Sequence, residues 1–196
     1  MSVQPRRLVL ASASPRRREL LTGLGLVFDV RPSDVDETVA ANESPSAYVQ
    51  RVAESKLQVG LASAGDAFVL ASDTVVVLDH VILGKPSDAK DACAILSKLS
   101  GRQHDVRTAV ALGRDGVALE TRVVTTGVRF RALDADEIAR YVATGECMDK
   151  AGSYGIQGLA GAFVAGIEGS YSNVVGLPVT ETLELLVAHG AVEQWP

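Results

Sequence analysis

The chain has 196 residues, room for one large domain or two small lobes around a true hydrophobic core, and 47% hydrophobic against 22% charged residues is globular composition, not disorder. A formal net charge of −5 excludes a general nucleic-acid surface, so any anion site must be a local basic patch on an acidic protein. Cys93 and Cys147 lack metal-ligand spacing and read as reduced, partly buried thiols. The opening "MSVQPRRLVLAS" holds only a short apolar run, too short for a signal peptide, and no stretch approaches the ~20 apolar residues of a membrane span. The expectation is a cytoplasmic protein with neither membrane nor nucleic acid as partner.

Leu8 to Ala11 reads as a short buried strand. Ser14 then suits a helix N-cap with Pro15 at the first helical position, and Leu20, Leu21 and Leu24 supply an apolar face that Gly23 and Gly25 end. "VFDVRPSDVDET" predicts a second strand running into an acidic loop. Ser44 and Pro45 repeat the helix-start signal, and Tyr48, Val49, Val52, Ala53 and Leu57 fall on one side. Residues 67–86 predict a long apolar strand, a turn at Asp79-His80, a short return strand and a loop at Gly84-Lys85-Pro86.

A third helix follows, capped by Ser87 and stopped by Gly101. Residues 104–131 predict two strands joined at "GRDG", and "DADEIARYVATGE" predicts a fourth helix. From Gly152 to Gly176 seven glycines, the first four at every third position, predict loops and short strands. A last helix runs from about Val179 to His189. Strands alternate with helices, yet the middle contains hairpins. This predicts an α/β fold with a mixed sheet and flanking helices, not a purely parallel one. No linker-like segment interrupts residues 1–196, so a single domain is expected.

Two stretches carry chemistry. In "SASPRRR" three arginines crowd a helix start, where both the macrodipole and mutual repulsion disfavour them. Unsatisfied N–H groups there bind phosphate, with Ser12 and Ser14 as hydroxyl donors and an arginine fork for phosphate oxygens. A capped surface helix with solvated arginines would read the same way. In "ASDTVV", Asp73 and Thr74 interrupt an apolar run, which costs burial energy unless they are paired or face a cleft. Asp73 could hold a divalent cation or take a proton from water; a structural strand-end aspartate is the alternative.

"DVDET" gathers Asp34, Asp36 and Glu37, oxygen ligands that suit a hard cation but equally suit a solvated acidic loop. Lys56 and Lys85 matter only if they converge with the arginines. His80, His104 and His189 form no catalytic pattern and read as structural. Together, the basic helix start and the spaced carboxylates point to a triphosphate site with a metal.

The strings "LASASPRRRELL", "VDET", "ESK", "SDTVV", "GKP" and "DKAGSYGIQGLAGAFV" to "IEGSYSNVVGLPVTET" resemble, in order from about residue 8 to residue 187, the Maf family of nucleotide pyrophosphatases. The resemblance implies hydrolysis of nucleoside triphosphates to monophosphate and pyrophosphate with a divalent cation (magnesium, manganese or cobalt), cleansing the nucleotide pool. It also implies an elongated mixed sheet with helices, two lobes around a central cleft, similar to inosine-triphosphate pyrophosphatases.

By motif, Asp73 matches the family's acceptor, which activates water for attack on the α-phosphorus. Ser12, Arg17, Glu37, Lys56 and Lys85 match positions around phosphate and metal, with Glu37 and Asp73 on the cation. Arg16, Thr74 and Gln157 resemble the branch acting on dTTP, UTP and modified pyrimidine relatives. The branch preferring 7-methyl-GTP tends to carry tryptophan in place of Arg16 and glutamine in place of Thr74. Gln157 offers a donor and an acceptor that match the N3–H and a carbonyl of uracil or thymine.

Two alternatives stand beside this reading. One is a Maf pyrophosphatase of purine or broad preference. The other is a non-catalytic nucleotide-binding regulator of cell division, since family members have been linked to arrest of septum formation. An exposed sheet edge could pair two copies as a homodimer.

Overall fold

Ser14 caps the first long helix as its sequence requires: its side chain accepts the Arg17 N–H and Pro15 opens the first turn. The computed structural model describes residues 7–193 and 195, and Met1–Arg6, part of the stretch read for a signal peptide, lies outside them. The elements run β1 (Leu8–Leu10), α1 (Pro15–Gly23), β2 (Asp29–Val30), α2 (Pro45–Ala64), β3 (Phe68–Leu78), β4 (Val81–Leu83) and α3 (Ala89–Leu99). They continue as β5 (Gln103–Arg114), β6 (Val117–Phe130), α4 (Ala135–Ala143), β7 (Val164–Glu168), α5 (Tyr171–Val175) and α6 (Val179–Ala188).

The strands form one mixed sheet in the order β2-β1-β3-β5-β6-β7, with β4 pairing β3. β1 lies parallel to β2 and β3; β3–β4 is antiparallel, as the turn at Asp79-His80 led one to expect, and β6–β7 is antiparallel as well. Both hairpin turns have two residues in the left-handed region, Asp79-His80 and Asp115-Gly116, which matches the right-handed twist of the strands they join. β1 registers with Phe68–Leu70 of β3 and β4 with Val76–Leu78; Asp73 falls in neither stretch.

The chain divides into two compact units. The first comprises Met1–Asp73, Thr108–Val124 and Gly176–Pro196, the second Thr74–Arg107 and Thr125–Val175. In the first, Leu10, Leu21, Phe68, Leu70, Leu112 and Leu185 pack one core. In the second, the apolar faces of α3 and α4 pack with β-strand residues around an aromatic cluster. There the Phe130 ring meets His104, Tyr154 and Phe163 edge-on at 5.0, 4.8 and 6.0 Å.

Two expectations are corrected. Asp88, not Ser87, caps α3: its carboxylate accepts the Asp91 N–H at 2.8 Å, and Asp91 in turn accepts from the Ser87 backbone and hydroxyl. A charged acceptor satisfies a helix-start N–H better than a hydroxyl, and the serine is displaced one place outward. The glycine-rich segment is also more helical than loops and short strands. It holds 3₁₀ turns at Ala151–Ser153 and Leu159–Phe163 as well as α5.

The three-residue glycine rhythm has a packing cause. A Cβ at Gly152, whose φ is +69°, would strike the Val76 side chain; at Gly155 it would strike Lys150, at Gly158 Glu146, and at Gly161 the Ile156 carbonyl.

His104 is buried at 2% exposure, and its Nε2 lies 2.9 Å from the Tyr154 hydroxyl. Burial lowers its pKa to about 4, against the weaker opposing pull of Asp105. The unfolded chain binds this proton near pH 6.5 and the folded chain only near pH 4, so stability is lost as pH falls through that window. Urea unfolding is expected to lose up to about 3 kcal/mol between pH 7 and pH 4 from this group, and His104→Gln should flatten that slope.

Candidate active site

Helix α2 buries one face, through Val49, Val52, Ala53, Leu57, Gly60 and Leu61, and Lys56 lies on that same face. A lysine in an apolar stripe must find anions or leave. Its Nζ lies 2.6 Å from Glu37 Oε1 and 2.8 Å from Asp73 Oδ1, so one ammonium bridges two carboxylates brought from a loop and from β3. Lys56 and Asp73 are 8% and 7% exposed, whereas the Glu37 side chain reaches toward solvent.

The acidic loop is tied to α2 at several points. The Tyr48 hydroxyl donates to the Glu37 carbonyl at 2.9 Å, and Arg51 donates to the Thr38 carbonyl at 3.0 Å while gripping the Glu43 carboxylate at 2.6 and 2.8 Å. That grip, reinforced by the Ala40 N–H, holds Glu43 at about 2. Burial and the nearby Asp73 and Glu37 charges push Tyr48 up to about 12, so its hydroxyl stays a donor. Of the "DVDET" acids, only Glu37 joins Lys56. Asp36 closes a turn by accepting the Thr38 N–H, and Asp34 is exposed.

The three arginines have three different fates. Arg18 is exposed, Arg16 is half-buried, and Arg17 is buried one turn before Leu21 on the inner face of α1. Arg17 Nε donates to the Gly176 carbonyl at 2.8 Å and its Nη1 to Ser12 Oγ at 3.1 Å. Ser12 Oγ also accepts the Ser14 N–H, and the Ser72 hydroxyl donates to the Gly176 carbonyl. Burial lowers the Arg17 pKa, Asp73 pulls it back up, Arg16 lowers it again and Glu37 raises it. These mutual effects put Arg17 within electrostatic range of both carboxylates.

The first unit therefore gathers Ser12, Arg17, Glu37, Lys56 and Asp73, with Arg16 beside them. Thr74, Lys85 and Gln157 belong to the second unit. Thr74 is half-buried and, as the next residue on β3, faces away from the side Asp73 takes. Lys85 is exposed in the loop after β4, where the Gly84 carbonyl accepts the Gly152 N–H at 3.0 Å. Gln157 is exposed at the third place of a tight turn closed by Gly158 N–H to the Gly155 carbonyl at 3.1 Å.

Sequence reasoning missed Ser72, the Gly176 carbonyl and the Tyr48 hydroxyl. For Lys56 and Arg17 a signal existed: each occupies a core position of its helix's apolar stripe. Among the described residues no group of three or more His, Cys, Asp or Glu side chains could hold a metal, and no helix is long and apolar enough to cross a membrane.

Residues 7–189 match the family model described as Maf-like protein. A protein of Myxococcus xanthus (strain DK1622) named dTTP/UTP pyrophosphatase is 52% identical over 195 residues, covering 100% of this chain and 98% of its own length. One of the same name from Shewanella oneidensis is 53% identical over 193 residues, covering 94% of this chain and 99% of its own. A solved HAM1 protein from Coxiella burnetii superposes with a TM-score of 0.50 at 16% identity, covering 94% of this chain and 99% of that one, which is a likeness of fold.

Arg17→Lys keeps the charge but cannot reach both the Gly176 carbonyl and Ser12. Urea unfolding should show a loss of about 2 kcal/mol, because buried acceptors are left without donors.

Proposed function

This chain belongs to the Maf family, and from that premise we propose that it is a nucleoside triphosphate pyrophosphatase. We infer that it hydrolyses dTTP, UTP and modified pyrimidine triphosphates to the monophosphate and pyrophosphate. The reading rests most on one observation, the gathering of Lys56, Arg17 and Ser12 around the Glu37–Asp73 carboxylate pair. The names of relatives such as those from Myxococcus and Shewanella point the same way.

In this reading Asp73 accepts a proton from the attacking water as its oxygen adds to the α-phosphorus. The bond from that phosphorus to the α–β bridging oxygen breaks, and pyrophosphate leaves with the electron pair. Arg17, its plane held by Ser12 and Gly176, presents a fixed positive charge to the phosphate oxygens, so little reorganisation is needed as charge develops. Lys56 and Arg16 add charge on longer stems; Lys85 is assigned to phosphate, and Thr74 and Gln157 to the base, by motif alone.

A divalent cation fits Glu37 and Asp73, which already hold a cation, the Lys56 ammonium, at contact distance. With two carboxylates and no third protein ligand of this class among the described residues, Glu37 and Asp73 would hold such an ion. Bound there, such an ion supplies charge neutralisation for the triphosphate and polarisation at phosphorus. We assign the enzyme to the cytoplasm, with the free nucleotide pool.

Asp73→Asn is expected to cut pyrophosphate release from UTP by about a thousandfold, with UTP affinity by calorimetry kept within a few-fold. Intact release in that variant refutes Asp73 as the acceptor. In a panel of dTTP, UTP, 5-methyl-UTP, CTP and 7-methyl-GTP, the uracil and thymine nucleotides should lead, and EDTA should abolish turnover until magnesium or manganese is restored. Preference for 7-methyl-GTP would move the assignment to the purine branch. A protein that binds nucleotides but hydrolyses none would be a regulator.

A further inference from the structure

We infer that Glu146 is a positioning residue for base selection, fixing the turn that carries Gln157; this rests on the reading of Gln157 as the side chain that contacts the base. Glu146 stands just beyond the C-terminus of α4, half-buried, and no motif singled it out. Its Oε1 accepts the Tyr141 O–H at 3.1 Å and its Oε2 accepts the Leu159 backbone N–H at 3.1 Å. Leu159 lies two residues after Gln157. Both bonds run to a carboxylate, the stronger class of hydrogen bond.

The near side of the turn is held from the same place. Tyr141 is buried, packs edge-on against Phe163 at 5.0 Å, and its oxygen is also hydrogen-bonded by the Gly155 backbone. Burial, then the Glu146 charge, raise the Tyr141 pKa, so it stays a donor to that carboxylate. Gly155 and Leu159 therefore bracket Ile156-Gln157 on a single Tyr141–Glu146 pair. A Cβ on Gly158 would overlap the Glu146 carboxyl group, and one on Gly155 the Lys150 stem, whose ammonium donates to the Glu146 carbonyl at 2.5 Å. The backbone is pressed onto these two side chains, and the two glycines exist to allow it.

The physical consequence concerns discrimination. A side-chain amide tells uracil from cytosine only if its donor and acceptor stand where the base edge presents its partners, and a loosened turn spreads that position. Without Glu146, the Leu159 N–H and the Tyr141 hydroxyl lose their acceptor and the turn loses its anchor. Catalytic groups on other elements are untouched, so kcat should hold while KM and base preference change. A role confined to stability would lower the melting temperature and leave the preference alone.

The test uses the full chain, with KM and kcat measured on UTP and CTP for Glu146→Ala, Glu146→Gln, Gln157→Ala and the Glu146→Ala/Gln157→Ala double variant, and a melt for each. Glu146→Ala should lower the UTP-to-CTP ratio of kcat/KM about tenfold, mostly through the KM for UTP. Glu146→Gln keeps an acceptor oxygen and should restore the ratio to within about threefold of the parent. In the double variant, the ratio should fall no further than with Gln157→Ala alone, because the two act through one contact. If Gln157→Ala collapses the ratio and Glu146→Ala does not, the positioning role is wrong and the base reading stands. If Gln157→Ala leaves the ratio unchanged, the base reading fails and this inference fails with it. Should Glu146→Ala not fold, Glu146→Asp draws the acceptor back by one methylene and carries the same test: a ratio lowered severalfold is expected, and an unchanged one overturns the proposal.

Discussion

A single ammonium group shared by two carboxylates organises the first unit. Lys56 sits where α2 would otherwise bury an aliphatic residue, and its charge is tolerable there only because Glu37 and Asp73 meet it at 2.6 and 2.8 Å. The dependence is mutual. Asp73 lies in an almost wholly buried strand, and a carboxylate there without a cation would carry the full cost of desolvation. Removing Lys56 would leave two carboxylates without the cation they share, so the loop, the helix and the strand are bound to one arrangement.

The same logic resolves the crowded arginines of α1. Their repulsion is divided: Arg18 goes to water, Arg16 stays half-buried, and Arg17 is turned inward to Ser12 and the Gly176 carbonyl. A buried guanidinium near two carboxylates costs desolvation and recovers part of it from their field. Stability is given up locally for a fixed positive charge, the pattern expected where a polyanion is bound.

In the second unit rigidity comes from the backbone. Four glycines at three-residue spacing let the chain press against Val76, Lys150, Glu146 and a carbonyl, and these contacts leave the turn carrying Gln157 little room to move.

The sequence by itself determined whatever depends on neighbours a few residues apart. It held the Ser14 and Ser44 caps, the prolines that follow them, the turn at Asp79-His80, the stop at Gly101, the apolar stripe of α2 and the mixed sheet implied by hairpins. Tertiary structure alone decided that Lys56 faces inward to Glu37 and Asp73, that Gly176 closes on Arg17 across 159 residues, and that Glu146 braces the Gln157 turn. Asp88 displacing Ser87 as a cap shows the boundary at short range, where two adequate acceptors compete and geometry chooses. Caps and stripes follow from local hydrogen-bonding and helical period. A buried charge chooses its partner only when distant segments have packed and water has been driven out, and no local pattern encodes that event.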